Sequence, residues 1–196
     1  MKKKAEESMD NKLSVVIGAS LTGLFYLYTI WRTRPTDGEV VVVDQLWIYP
    51  IKSCKGIRKT TASIARTGFK YDREFMLINE RGAFLSQRTC PKLALIETQI
   101  SDDDATLTVK MSGRDELHIP LSYDAYDENS IVPTSVWGFD CEGVYCGDEI
   151  SDWFSKALSI PNLMLLRFSR ECVRKTDERY APNGQVYHSD FVPNRM

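Results

Sequence analysis

From Val40 onward, short β-type runs separated by tight-turn formers constrain the fold more than any other feature. The runs are residues 40–50, 73–80, 93–101, 105–111, 117–121 and 136–146. Turn-forming residues follow three of them, at 79–82, 101–104 and 112–115. Closely spaced short strands with tight turns are typical of a β-barrel or a β-sandwich. The sequence therefore predicts a mainly β domain.

One helix interrupts this β pattern, in the sequence "GDEISDWFSKALS" at residues 147–159. Asp148 is a suitable N-cap residue. An apolar stripe at helical spacing follows, made of Ile150, Trp153, Phe154, Ala157 and Leu158. Residues 163–169 then have the composition of another buried strand. The predicted fold class is mainly β (α+β), with one or two helices.

The N-terminal part of the chain contains an uncharged apolar segment, residues 13–31. As a helix it would be about 28 Å long, close to the hydrocarbon thickness of a bilayer. We expect a single transmembrane anchor, after a polar tail at 1–12 and before a linker at 32–39. A cleaved signal peptide and a buried core helix are the alternatives, but the run exceeds a signal peptide's apolar region of roughly 7–15 residues. Basic residues flank both ends, so the orientation stays open.

Composition excludes several classes of function. The net charge of -2 argues against general nucleic-acid binding, which requires a large positive excess. Five irregularly spaced cysteines favour free thiols over a disulfide framework, and we interpret Cys141 and Cys146 as structural thiols. Two histidines, His118 and His188, do not supply a histidine metal site. The common glycine-rich nucleotide motifs and the hydrolase serine motif are absent from the sequence.

The stretch "LWIYPIKSCKG", residues 46–56, places cationic and hydroxyl groups at the end of a predicted strand. Lys52 and Ser53 follow Pro50, which stiffens the backbone. Further cations lie downstream: Lys55, Arg58, Lys59, Arg73, Arg81, Arg88, Arg167, Arg170, Arg174, Lys175 and Arg179. Each is by itself typical of a solvated surface charge. Together, ammonium, guanidinium and hydroxyl groups are suited to holding a phosphate, so the pattern predicts an anion site.

The blocks "LWIYPIKSCKGI" and "GFKYDREFMLINERGAFLSQRTCPKLALI" resemble, in order and spacing, the N-terminal β-barrel region of MOSC-domain proteins, in particular the mitochondrial amidoxime-reducing components. The resemblance runs from about Val40 to Asp190, and "FDCEGVYCGDEISDWFSKAL" fits its later part. It implies a MOSC N-terminal β-barrel-like domain at 40–180 and the start of a truncated MOSC domain at 181–196. The hydrophobic N-terminus also matches the anchor of these proteins.

The resemblance further implies a cofactor, the molybdenum–molybdopterin group (Moco), whose phosphate and pterin are held by basic and hydroxyl residues. Carried over by position, these contacts fall on Lys52, Ser53 and Arg73, with Ser189 and Asp190 as further contacts. In the family a cysteine of the C-terminal MOSC half binds the metal. We expect that metal ligand to be absent from this chain, and no residue is assigned a catalytic role.

The activity implied is reduction of N-hydroxylated substrates such as amidoximes, with electrons from a b-type cytochrome and an NADH-dependent reductase. The implied location is the mitochondrial outer membrane, with the soluble domain in the cytosol. Because the metal-binding half is missing, we expect negligible reductase activity from this chain alone.

Two other functions remain open. The chain is alternatively a membrane-tethered, non-catalytic module that binds a cofactor or a partner. A third hypothesis is a carrier domain in sulfuration of the molybdenum cofactor. The predicted anchor counts against it, because the sulfurases carry a large aminotransferase-like domain at that end. Any association with pyridoxal phosphate belongs to those sulfurases only.

Overall fold

The computed structural model describes residues 42–65, 67–170 and 172. The segments predicted from sequence as the polar tail, the anchor, the linker and the truncated MOSC start lie outside the described residues. Within the described ranges, no helix is both long and apolar enough to cross a bilayer. The described residues from Asp44 onward belong to one compact unit.

The described residues contain eleven strands and one α-helix. The strands are β1 Leu46–Ile48, β2 Ile57–Lys59, β3 Ile64–Ala65, β4 Gly68–Phe69, β5 Phe75–Ile78, β6 Glu97–Ile100, β7 Thr106–Lys110, β8 Leu117–Pro120, β9 Ile131–Val136, β10 Phe139–Tyr145 and β11 Met164–Phe168. The α-helix, α1, spans Asp148–Leu158. Short 3₁₀ turns form at Pro91–Leu95 and Tyr123–Ala125. The predicted fold class, mainly β with a helix, is confirmed for this part of the chain.

The strands form four antiparallel sheets, of which the largest has the order β5-β11-β10-β9. A second sheet has the order β6-β7-β8, and β1-β2 and β3-β4 are two-stranded. Both faces of the largest sheet are covered. Phe75 and Leu77 of β5 lie in one core cluster, whereas the alternating residues Met76 and Ile78 lie in another. This two-sided burial explains why β5 is a continuous apolar run rather than an alternating one.

The structure corrects several of the predicted elements. The short strands β2, β3 and β4 lie outside every predicted run, and the run at 136–146 includes the turn that precedes β10. The start of the run at 93–101 belongs to the 3₁₀ turn Pro91–Leu95, because Pro91 favours the first position of a helical turn. The strand β9 was missed, since it contains Pro133, which lacks the N–H needed in a central strand. β9 lies at the edge of its sheet, where such a residue is tolerated.

The helix α1 is confirmed, but its predicted cap is wrong. Gly147 occupies the N-cap position, without a side-chain cap hydrogen bond, and Asp148 is the first helical residue. The Asp148 carboxylate instead accepts a hydrogen bond from the Tyr145 hydroxyl at 2.7 Å. Its negative charge in the first turn still interacts favourably with the positive end of the helix dipole. Ser151 fixes the helix against β11, because its hydroxyl oxygen accepts a hydrogen bond from the Leu165 N–H at 3.1 Å.

The contact between β10 and β11 gives a stability prediction. A Cβ atom added at Gly143 would lie 2.8 Å from the Leu166 Cβ and 3.1 Å from the Arg167 carbonyl oxygen. Gly143→Ala should therefore lower the free energy of unfolding by about 1–3 kcal/mol, the usual cost of adding a methyl group to a closely packed core. Urea unfolding measures the change. Glu142→Ala is the control, since Glu142 is exposed on the same strand. Equal stability of the two variants would contradict the close contact.

Candidate functional site

Two segments that carry predicted site residues lie side by side. The Lys52 N–H donates to the Phe75 carbonyl oxygen at 2.8 Å, and the Arg73 N–H donates to the Tyr49 carbonyl oxygen at 2.7 Å. A parallel bridge pairs Ile51 with Phe75 between these two bonds. The backbones of the "YPIKS" and "YDREF" motifs are thus joined directly, although 17 residues lie between them in sequence. We call residues 49–53 together with residues 71–75 the paired segment.

Three residues of the paired segment have a left-handed backbone without being glycine. Their φ angles are 70° at Ser53, 67° at Tyr71 and 55° at Arg73. This conformation is uncommon for residues with a Cβ atom and persists only where the surroundings hold it. Observed strain of this kind concentrates at ligand-binding sites. Two of the three strained residues, Ser53 and Arg73, are ones that the sequence predicted as cofactor contacts.

Ser53 presents polar groups that the rest of the described chain does not use. Its carbonyl oxygen accepts a hydrogen bond from the Gln87 side chain at 2.8 Å. Among the described residues, neither the Ser53 hydroxyl nor its backbone N–H makes a hydrogen bond. The residue is half-buried, next to the buried Cys54. Ser53 therefore offers two donors to a ligand at the surface.

Lys52 lies among aromatic rings rather than in bulk solvent. The residue is 7% exposed, and its Nζ atom lies 5.3 Å from the Phe84 ring centroid and 5.9 Å from that of Trp137. Arg88 approaches the same indole, with its guanidinium carbon 5.5 Å from the ring centroid. The rings of Phe84 and Trp137 meet edge to face at 5.1 Å. We call Lys52, Phe84, Arg88 and Trp137 the cation–aromatic cluster.

The aromatic members of this cluster were missed by the sequence analysis. Trp137 and Gly138 form the two-residue turn between β9 and β10, with φ angles of 55° and 83°. Gly138 could have indicated a two-residue hairpin turn, because such turns favour glycine. That interpretation requires a strand before the turn, and β9 was not predicted. The turn leaves Trp137 45% exposed, beside both cations.

The side chain of Arg73 has other partners. Its guanidinium contacts the Asp72 carboxylate and lies 5.1 Å from the Tyr49 ring centroid. Asp72 also accepts a hydrogen bond from the Tyr49 N–H at 2.7 Å. The structure thus joins the backbones of Lys52, Ser53 and Arg73, while the Lys52 and Arg73 side chains lie against different rings. Ser189 and Asp190 lie outside the described residues.

The described cations of the wider set that are named next have separate surroundings. Lys55 forms an exposed ion pair with Glu97 at 2.6 Å. Arg58 and Lys59 lie on β2, which pairs with β1. Arg167 is 2% exposed and pairs with Glu74 at 3.0 Å, so its predicted place in a surface anion site is wrong. Burial on β11 removes this guanidinium from solvent. Arg174, Lys175 and Arg179 lie outside the described residues.

All five cysteines are free thiols, and four of them are buried. Cys141 and Cys146 pack in the core, as their structural interpretation predicted. Burial raises the pKa of the Cys146 thiol to about 12, and burial with the nearby Cys90 raises the pKa of Cys54. A thiol with a raised pKa holds its proton and is a poor nucleophile or metal ligand. No cluster of three metal-ligating side chains occurs among the residues that the structure describes.

The sequence of this mainly β domain matches a known family. The MOSC N-terminal beta barrel domain matches residues 40–161. The chain therefore belongs to the MOSC N-terminal β-barrel family, as its motifs indicated. The matched range contains the paired segment and the cation–aromatic cluster.

Curated relatives include amidoxime-reducing components and molybdenum cofactor sulfurases. Mitochondrial amidoxime-reducing component 1 of Mus musculus is 32% identical over 170 residues, covering 83% of this chain and 49% of its own length. Mitochondrial amidoxime reducing component 2 of Bos taurus is 32% identical and covers 79% of this chain and 47% of its own length. The molybdenum cofactor sulfurase of Anopheles gambiae is 33% identical, covering 72% of this chain and 20% of its own length. The chain spans about half the length of the amidoxime-reducing components that it matches.

The raised thiol pKa values give a pH prediction. The folded chain holds the Cys146 proton more tightly than the unfolded chain, whose thiol has its ordinary pKa of 9.0. The thiol's contribution to the free energy of unfolding should therefore be constant below that pKa and fall above it. The slope approaches ~1.4 kcal/mol per pH unit for each such thiol.

Urea unfolding at pH values of about 7.5, 9 and 10 measures this dependence. Cys146→Ala should have a shallower fall above the ordinary thiol pKa than the wild-type chain, because one proton-holding group is gone. Identical slopes for the two chains would contradict a raised pKa at Cys146.

Proposed function

We propose that this chain binds a phosphate-bearing pterin cofactor of the molybdopterin type, with Lys52, Ser53 and Arg73 as its phosphate and pterin contacts. The observation that carries this proposal is the strained backbone at both Ser53 and Arg73 within one hydrogen-bonded pair of segments. Relatives named molybdenum cofactor sulfurase support the same ligand class. Ser189 and Asp190 stay in the proposal as further contacts.

The donor groups of the paired segment fit a phosphate monoester. A hydroxyl and a backbone N–H at Ser53 donate neutral hydrogen bonds, while the Arg73 guanidinium can grip two oxygens at once. Arg73 already contacts Asp72, so a phosphate would compete with that carboxylate or share the guanidinium with it. The backbones of Ser53 and Arg73 already have defined left-handed φ angles before binding. Less conformational entropy is therefore lost when a ligand binds.

The cation–aromatic cluster extends this fit. Lys52 supplies a largely desolvated positive charge, and a low local dielectric strengthens its attraction for an anion. Trp137 is exposed beside it and offers an apolar surface to a planar ring. In this proposal the chain's residues bind and orient the cofactor. The molybdenum group, when bound, supplies two-electron redox chemistry.

For a protein that carries both this region and the other half of the amidoxime-reducing components, we propose reduction of N-hydroxylated substrates such as amidoximes. The relatives of that name support this reaction. A b-type cytochrome and an NADH-dependent reductase are the proposed electron donors. The proposed location is mitochondrial, as in the relatives' names, on the outer membrane through residues 13–31, with the domain facing the cytosol.

The relatives named molybdenum cofactor sulfurase favour a second candidate. A module that binds the cofactor without reducing a substrate would need the same contacts. Retention of pterin by a protein with both halves, without turnover of benzamidoxime in the presence of a chemical reductant, would favour this second function.

Two substitutions test the proposed contacts. Arg73→Ala should lower pterin retention by about tenfold or more, since a hydrogen bond to a charged group contributes roughly 1.5–3 kcal/mol. Ser53→Gly removes the hydroxyl while keeping the left-handed backbone without strain, so it should weaken retention by a smaller factor. The measurement is pterin per chain, by fluorescence after acid release and oxidation, in protein from a cofactor-producing host.

Arg58→Ala is the matched control, because Arg58 is an exposed cation on β2. It should leave the pterin content unchanged. If Arg73→Ala retains as much pterin as Arg58→Ala, the assignment of Arg73 is wrong. If the wild-type chain retains none, cofactor binding by this chain alone is wrong.

A further inference from the structure

Arg167 is the largest side chain that the described core encloses completely. It lies on β11 opposite Phe75 of β5, and its guanidinium carbon is 3.6 Å from the Tyr123 ring centroid and 5.2 Å from that of Phe75. Its Nε and Nη1 atoms have no hydrogen-bond partner within the part of the chain that the structure describes. A buried cation with unmet donors lowers stability relative to an apolar residue of similar size. Its contribution therefore lies in what it holds in place.

The group that Arg167 holds is the Glu74 carboxylate. The Arg167 Nη2 atom donates to Glu74 Oε2 at 3.0 Å, and the other carboxylate oxygen, Oε1, accepts from the Tyr71 N–H at 3.1 Å. The Glu74 carbonyl oxygen accepts from the Phe168 N–H at 2.7 Å. Glu74 thus ties β11 to the turn at residues 71–73 by both its side chain and its backbone.

That turn is the strained part of the paired segment. Tyr71 and Arg73 both have left-handed φ angles, and the Arg73 N–H reaches across to the Tyr49 carbonyl oxygen. Residues with a Cβ atom keep this conformation only where surrounding contacts over-determine it. The Glu74 carboxylate supplies one such contact at Tyr71, and Arg167 fixes the carboxylate.

We propose that Arg167 is a positioning residue: through Glu74 it holds the turn at residues 71–73 in the shape that presents Arg73 to an anionic ligand. The ligand identity rests on the proposed function, whereas the control of the turn does not. An Arg side chain suits this role because its guanidinium stays charged when buried, whereas burial readily shifts the pKa of a lysine ammonium.

The test uses the full 196-residue chain and two readouts, hydrogen exchange of the Tyr71 amide and pterin content per chain. The variants are Arg167→Met and the conservative Arg167→Lys. Leu165→Ala is the control for lost stability, since Leu165 is fully buried on the same strand. The Val109 amide, in the separate β6-β7-β8 sheet, serves as an internal reference for global unfolding.

Arg167→Met should raise Tyr71 exchange about tenfold beyond any change at Val109, and should lower pterin content by a similar factor, as loss of a charge-assisted bond implies. Arg167→Lys should recover part of both, and it carries the test if Arg167→Met fails to fold. Leu165→Ala should raise exchange at both amides alike. Equal exchange changes at Tyr71 and Val109 in both Arg167 variants would overturn the proposal.

The two readouts separate this inference from the proposed function. If the wild-type chain holds no pterin, the proposed function fails, while Tyr71 exchange still decides whether Arg167 controls the turn. If the wild-type chain holds pterin and Arg167→Lys and Arg167→Met hold as much as Leu165→Ala, the positioning role fails and the proposed function stands.

Discussion

The pairing of residues 49–52 with residues 73–75 is the constraint on which the candidate site depends. Backbone hydrogen bonds from Lys52 to Phe75, from Phe75 to Pro50 and from Arg73 to Tyr49 fix the two motifs side by side. β5 begins at Phe75 and enters the largest sheet, whose two faces are buried. A buried sheet strand is rigid because its contacts are dense. The site residues therefore start from a fixed position rather than from a mobile loop.

Charge is distributed over this frame in two layers. Arg167 and Glu74 pair beneath the turn, at 3.0 Å, where the guanidinium is shielded from water. Lys52, Arg73 and Arg88 lie nearer to the surface, each against an aromatic ring. A ring stabilises a cation without neutralising it, and Arg73 contacts the Asp72 carboxylate in addition to its ring. Lys52 and Arg88 share the indole of Trp137, which concentrates positive charge at the hairpin tip.

The sequence predicted the parts of this arrangement that depend on local pattern. Alternating and continuous apolar runs predicted most strands of the larger sheets, and the stripe from Ile150 to Leu158 predicted α1. Positions that depend on tertiary contact were not accessible. Because Pro133 argues against a strand, β9 was not predicted. The position of Trp137 beside Lys52, in the turn that follows β9, therefore could not be predicted either. Arg167 was interpreted as a surface cation like the others. Its neighbours in sequence do not indicate that it pairs with Glu74, which is 93 positions away. Left-handed angles at Ser53 and Arg73 likewise follow from the pairing of distant segments.

Backbone amide shifts during titration with pyrophosphate test most directly whether Ser53 and Arg73 serve one anion site. For the ¹⁵N-labelled chain, the account predicts that both amides shift along one saturable curve with a common dissociation constant, accompanied by the indole N–H of Trp137. Amides that shift with different dissociation constants, or a shift at one of the two alone, would contradict a single site.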